Sequence, residues 1–211
     1  MKAADALTLM AAFLLLPAFG QTAQKTSTFT SSDGTFRFAY PTDFRVCTGG
    51  EVDPCNQSFI PVCEPDAFVC VVYPAEEFKD TSFMAASFQV KEIVRDQEMM
   101  TADVCVTPYP RKDGDIVSDW PQFLVSAAHP VETIGGVEFV HGIRGGVATG
   151  HFSDIDLYRT FHKRRCFELR VSETGTNPLM FDPPRKTLSP TQQQKLDRTM
   201  SHMLQSFRFI N

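Results

Sequence analysis

Apolar and polar positions alternate along much of this chain, and the alternation predicts strands. Phe36, Phe38 and Tyr40 interleave with Arg37 and Ala39, and Asp33-Gly34 just before them is a turn signal, so SSDGTFRFAYPTDF reads as a hairpin entry. FVCVVYP is a short apolar strand ending at Pro74, and residues 86–93 alternate again. From Val131 to Ser172 the pattern predicts a β-meander. Gly135-Gly136 is its first turn, and VEFVHGIRGGVATG is a strand that bends at Gly145-Gly146. HFSD turns the chain, IDLYRTFH is a strand, Lys163 to Arg165 is a turn and CFELRVSE is the last strand. In that strand Phe167, Leu169 and Val171 alternate with Glu168, Arg170 and Ser172, which predicts one buried and one wet face.

The period then changes. Ser189 suits an N-cap, Pro190 the first helical position and Gln192 the partner of a capping box. Leu196, Met200, Met203, Leu204 and Phe207 then form one apolar helical stripe, and SFRFIN closes the chain as a short strand. Between the two patterned regions, Arg95 to Phe123 is loop-rich, with Pro108, Pro110, Gly114 and Pro121, and Trp120 reads as a core or loop anchor. An antiparallel sheet with flanking helices, one of them C-terminal, is an α+β fold. The opening, with Phe36, Phe38, Tyr40, Pro41 and Phe44, and the closing helix into MLQSFRF resemble the two ends of PsbP/Mog1-like domains. The resemblance covers about a fifth of the mature chain and leaves out the cysteine-rich stretch. It implies an exported binding or accessory domain and carries over no functional residue.

Lys2, the apolar run from Ala6 to Ala18 and the small residues Ala18 and Gly20 read as a secretory signal peptide over 1–20, cleaved after Gly20. The expected organisation is that peptide, a flexible lead-in over 21–29 and one α+β domain over 30–211. The destination is the periplasm or the exterior, with no stable membrane insertion, because no second long apolar segment follows. Apolar content of 43% with 19 phenylalanines is enough for a core. A net charge of −5, unchanged by loss of Lys2 and Asp5, argues against nucleic acid, which needs concentrated positive charge. Lys163-Arg164-Arg165 is too short a basic run to change that.

Four of the six cysteines, Cys47, Cys55, Cys63 and Cys70, lie in one 47–70 segment, followed by Cys105 and Cys166. Export favours disulfides, and the spacings match neither zinc sites nor redox C-x-x-C. The sequence leaves the pairing open; two bridges within 47–70 and one from Cys105 to Cys166 is the expected arrangement. With Gly49, Gly50, Pro54, Pro61 and Pro65, the segment reads as a long stapled loop.

No nucleophile elbow, phosphate-binding glycine loop or H-E-x-x-H is present, and no cofactor is implied. The one constellation with metal-ligand chemistry is His151, Asp154 and Asp156 in GHFSDIDLY, with His141 and His162 on flanking strands, facing opposite sides of the sheet in the simplest case. It would serve a metal-assisted hydrolase. Glu168 and Arg170, beside Arg159 and Tyr158, read as a cross-strand charge pair or as a patch for a small anion. The leading expectation is a non-catalytic exported module. It would meet an unidentified protein or small ligand with the stapled loop or with the polar face of the 137–172 meander. A secreted inhibitor that uses the cysteine loop is a further possibility.

Overall fold

A computed structural model describes residues 24–49, 55, 62–94, 100–106 and 130–210. The stretch read as a signal peptide, Trp120 and most of the loop-rich stretch lie outside them. In chain order the strands are β1 (Thr26–Thr30), β2 (Phe36–Pro41), β3 (Arg45–Thr48), β4 (Ala67–Val72), β5 (Phe83–Glu92), β6 (Val131–Ile134), β7 (Val137–Ala148), β8 (His151–His162), β9 (Arg165–Thr176) and β10 (Arg208–Phe209). The α-helices are α1 (Ala102–Val106), after β5, and α2 (Pro190–Ser206), after β9. The strands form a small sheet, β1-β2-β10, and a large one, β3-β4-β5-β9-β8-β7-β6, with every paired strand antiparallel. The fold is α+β, and its meander is β6 to β9.

Four sequence readings are corrected. HFSD is not a turn: residues 151–154 open β8, and the reversal is at Thr149-Gly150, both at positive φ. Gly145-Gly146 does not interrupt β7, which pairs with β8 from Val140 to Ala148. Arg165 already belongs to β9, so the next turn is Lys163-Arg164 alone, again at positive φ. The 47–70 segment is not all loop, because both ends are strand and Cys47 pairs in register with Cys70. In each case hydrogen bonding to a neighbouring strand overrides the local turn propensity of Gly, Ser and Asp.

Side-chain alternation splits the large sheet into two faces. One carries Val69, Val71, Phe88, Val90, Phe167 and Leu169, and it packs with Leu196, Met200, Met203 and Leu204 of α2 and with Phe36 and Phe38 of the small sheet. Phe36 stacks on Phe207, and Phe38 meets Phe88 edge-on at 4.9 Å. The helix begins as its residues predict, with Ser189 and Gln192 closing a reciprocal capping box and Pro190 in the first turn. Arg165 ties the small sheet to the large one: it donates to Glu92 on β5 and to Asp33 in the β1–β2 turn, and holds the Asp33 carboxyl well below the usual range.

The second face corrects a further reading. It is polar but not wet: Glu168, Ser172, Gln89 and Arg159 are all under 5% exposed. The stapled segment and α1 lie over it. Ser87 and Gln89 donate to the Val62 carbonyl, and Gln89 accepts from the Glu64 backbone N–H. α1 is fastened by its Cys105 to Cys166 of β9. Alternation on β9 predicts its two faces but not that a second layer covers the polar one.

Candidate functional site

β8 runs continuously through the predicted metal residues, and that decides their geometry. Successive side chains point to opposite faces, so His151 lies on the face away from Asp154 and Asp156. His151 Nδ1 is 3.0 Å from the Thr176 hydroxyl on β9. Asp156 instead meets His141 across the β7–β8 ladder, its Oδ1 2.7 Å from His141 Nε2. The strand therefore does not bring His151, Asp154 and Asp156 together, and among the described residues no three His, Cys, Asp or Glu side chains are grouped to hold a metal ion. His141 and His162 share a face after all, but at different places: His141 stacks on Tyr158 and His162 stacks on Phe209. Burial lowers the pKa of His162, with Lys163 adding to the effect.

What the geometry does assemble is a cleft of about 330 Å³ between the meander and α2. Its apolar floor comes from Ala86, Tyr158 and Val171 of the sheet and from Leu196, Met200 and Leu204 of the helix. Its rim carries five carboxylates: Glu132, Asp154, Asp156, Glu173 and Asp197. Among the described residues, no lysine, arginine or histidine lines it. The two-residue turns set this arrangement by fixing the strand register. Asp154 stands directly opposite Glu173, and α2 brings Asp197 to the same place. Like charges opposite each other in a ladder are destabilising. Burial raises the Glu173 pKa. A hydrogen bond from Gln193 at 3.0 Å works against that, and the charges of Asp197 and Asp154 reinforce it.

His141 stands behind the rim, in contact with two of its acids. Its Nδ1 is 3.0 Å from Glu132 Oε1 on β6, and its Nε2 faces Asp156 on β8. Its ring lies flat on Tyr158, with centroids 4.4 Å apart. The Asp156 hydrogen bond raises the His141 pKa against a smaller opposing effect of burial, with Glu132 adding to the rise. Tyr158, largely buried, has its phenol pKa raised as well.

The polar patch read around Arg159, Glu168 and Arg170 is an internal network. Arg159 Nε donates to Glu168 at 2.7 Å, in register across β8 and β9. Glu64 of the stapled segment pairs with both Arg170 and Lys91. These cations are thus engaged with carboxylates of the fold, and burial lowers the Arg170 pKa to about 10. The cysteines form three disulfides, Cys47–Cys55, Cys63–Cys70 and Cys105–Cys166, and none is free. Three buried bridges fit an oxidising, extracytoplasmic setting.

Sequence reading found Asp154, Asp156 and His141 but missed Glu132, Glu173 and Asp197. A signal for Glu173 was present. Once two-residue turns join β7, β8 and β9, the register puts Glu173 opposite Asp154. Asp197 carried no such signal, because its place depends on how α2 crosses the sheet.

No family model and no curated protein matches the chain. Among solved structures it is similar to a protein of Bacteroides thetaiotaomicron, at 12% identity and a TM-score of 0.42, over 89% of this chain and 49% of that one. It thus spans about half the length of that protein. It is also similar to LpqN of Mycobacterium tuberculosis, described as involved in cell envelope biogenesis, at 10% identity and a TM-score of 0.41, over 89% and 91% of the two chains. A cyanobacterial PsbP, CyanoP of Synechocystis sp. PCC 6803, is similar at 10% identity and a TM-score of 0.40, over 93% and 99%.

Proposed function

We propose that this chain is an exported, non-catalytic binding module whose acidic cleft captures a cationic segment of a partner, a lysine or arginine side chain with an apolar neighbour. One observation carries the reading: Asp154 and Glu173 oppose each other, with Asp197 beside them, over an apolar floor. The Gln193 amide donates to Glu173 and to Asp197, but no cation lining the cleft among the described residues balances the three carboxylates, and departures from local rules of this kind concentrate at functional sites. A cationic head relieves the repulsion, and its aliphatic stem lies on Val171, Met200 and Leu204. The cleft opens on the α2 face of the meander, and not on the polar face, which the stapled segment and α1 cover. The three disulfides support the extracytoplasmic setting, and cleavage after Gly20 would leave Gln21 as the first residue of the exported protein.

The test uses a fluorescein-labelled hexapeptide alternating leucine and lysine, with a leucine–glutamate peptide as control. Anisotropy should report binding of the first alone, weakening as salt rises. Asp154→Asn combined with Glu173→Gln should weaken it about tenfold or more. Equal affinity for both peptides, or an unchanged affinity in the double variant, would remove the cleft from consideration.

A further inference from the structure

The geometry points to His141 as a proton gate for the acidic cleft: the imidazolium ties up Glu132 and Asp156, and its deprotonation returns one of these carboxylates to a cationic occupant. The inference rests on the reading of the cleft as a cation site.

Both ring nitrogens of His141 face carboxylate oxygens, at 3.0 Å to Glu132 and 2.7 Å to Asp156. A carboxylate only accepts hydrogen bonds, so both contacts are satisfied only while both nitrogens carry protons. A neutral imidazole has one N–H. Its other nitrogen then presents a lone pair to a carboxylate, a repulsive contact, and that carboxylate turns away. Glu132 and Asp156 both line the cleft, so the released charge stays at its rim. The stack on Tyr158 holds the ring in place in either state.

The groups that face this site come from every neighbouring element. Glu132 is on β6, Asp156 and Tyr158 are on β8, and deeper in the cleft lie Asp154 of β8, Glu173 of β9 and Asp197 of α2. Apart from Tyr158, whose phenol stays neutral, all of these are acids, and His141 is the cation in contact with the rim among the groups named here. Below the His141 transition one imidazolium faces two of the rim acids; above it that positive charge is gone. The neighbouring acids place that transition above the ordinary imidazole value. Affinity for a cation therefore rises with pH through it. Glu173, whose own pKa is raised by burial, loses its charge in the acid range and acts in the same direction at lower pH.

The experiment combines histidine NMR of the full chain with affinity for the leucine–lysine peptide from about pH 5.5 to about pH 8.5. We expect wild type to bind about fivefold tighter at the alkaline end. Most of that gain should coincide with the His141 titration. His141→Gln, neutral throughout, should keep only the acid-side change that belongs to Glu173. Glu132→Gln should shift the His141 titration and the affinity change together to lower pH, so the gate has a second readout if His141→Gln does not fold. Peptide binding that is flat across the His141 titration, or the same profile in wild type and His141→Gln, overturns the gate and leaves the cleft standing. No binding at any pH, with His141 titrating normally, overturns the cleft itself and the gate with it.

Discussion

At the scale of single residues, the fold treats its charges in two ways. On the covered polar face carboxylates are paired with cations: Glu168 has Arg159, and Glu64 has Arg170 and Lys91. In the cleft the carboxylates face one another, and Glu173 is the most compromised. Its folded pKa is raised by burial, so its neutral form is the one the fold favours. The contribution of such a group is fully present below its unfolded pKa and is lost as pH rises through the folded value. Glu173→Gln removes that loss. We expect the variant to match wild type in Tm near pH 4 and to exceed it by about 2 °C at pH 7. Thermal denaturation at both values checks this, and a Glu173→Gln protein less stable than wild type at pH 7 would show that the carboxylate is not under strain.

At the scale of elements, what could be read from sequence was what local chemistry dictates. The Asp33-Gly34 and Gly135-Gly136 turns are where they were expected, and at Gly135 glycine is required: its φ is +64°, and a Cβ would sit 2.3 Å from the Phe207 carbonyl oxygen. The α2 start was fully legible, because Ser189, Pro190 and Gln192 act on one another within a single turn. HFSD and Gly145-Gly146 misled for the opposite reason. Their local propensity is for turns, while the long ladders of β7, β8 and β9 hold them extended. The metal constellation depended on HFSD gathering His151, Asp154 and Asp156, and a strand separates what a turn would have gathered. The cleft was only half visible, since its sheet side follows from strand register but its helix side follows from packing. A consequence for α2 can be measured directly. Ser189→Ala removes the hydroxyl that accepts from the Gln192 backbone N–H, leaves the backbone N–H that donates to Gln192 Oε1, and should cost about 1 kcal/mol. Urea unfolding should show an earlier midpoint at unchanged slope; an unmoved midpoint would mean that packing of Leu196 and Met200 alone fixes the helix start.

At the scale of the whole molecule, the disulfides divide the work of holding a second layer onto the polar face. Cys47–Cys55 and Cys63–Cys70 close short loops, with separations of 8 and 7 residues, inside one stapled hairpin. Cys105–Cys166 closes a separation of 61 residues and fastens α1 to β9. In the chain-entropy account, the stabilisation from a bridge grows with the logarithm of the loop it closes, giving about 2.5 kcal/mol for each short loop and about 4 kcal/mol for the long one. The two kinds of bridge also differ in what they protect. The hairpin bridges sit in a segment that Ser87, Gln89, Lys91 and Arg170 already hold through Val62 and Glu64. α1 has only five residues, too few to be stable alone, so its position rests on the covalent link and on contacts with β8 and β9. The paired replacement Cys105→Ala/Cys166→Ala should therefore lower Tm more than Cys63→Ala/Cys70→Ala. It should also raise amide exchange in the Thr160–Phe167 stretch of β8 and β9 while leaving the α2 cleft and its peptide affinity unchanged. If the hairpin pair proves the costlier loss, the stapled segment, and not α1, is what keeps water from the buried charges of the second face.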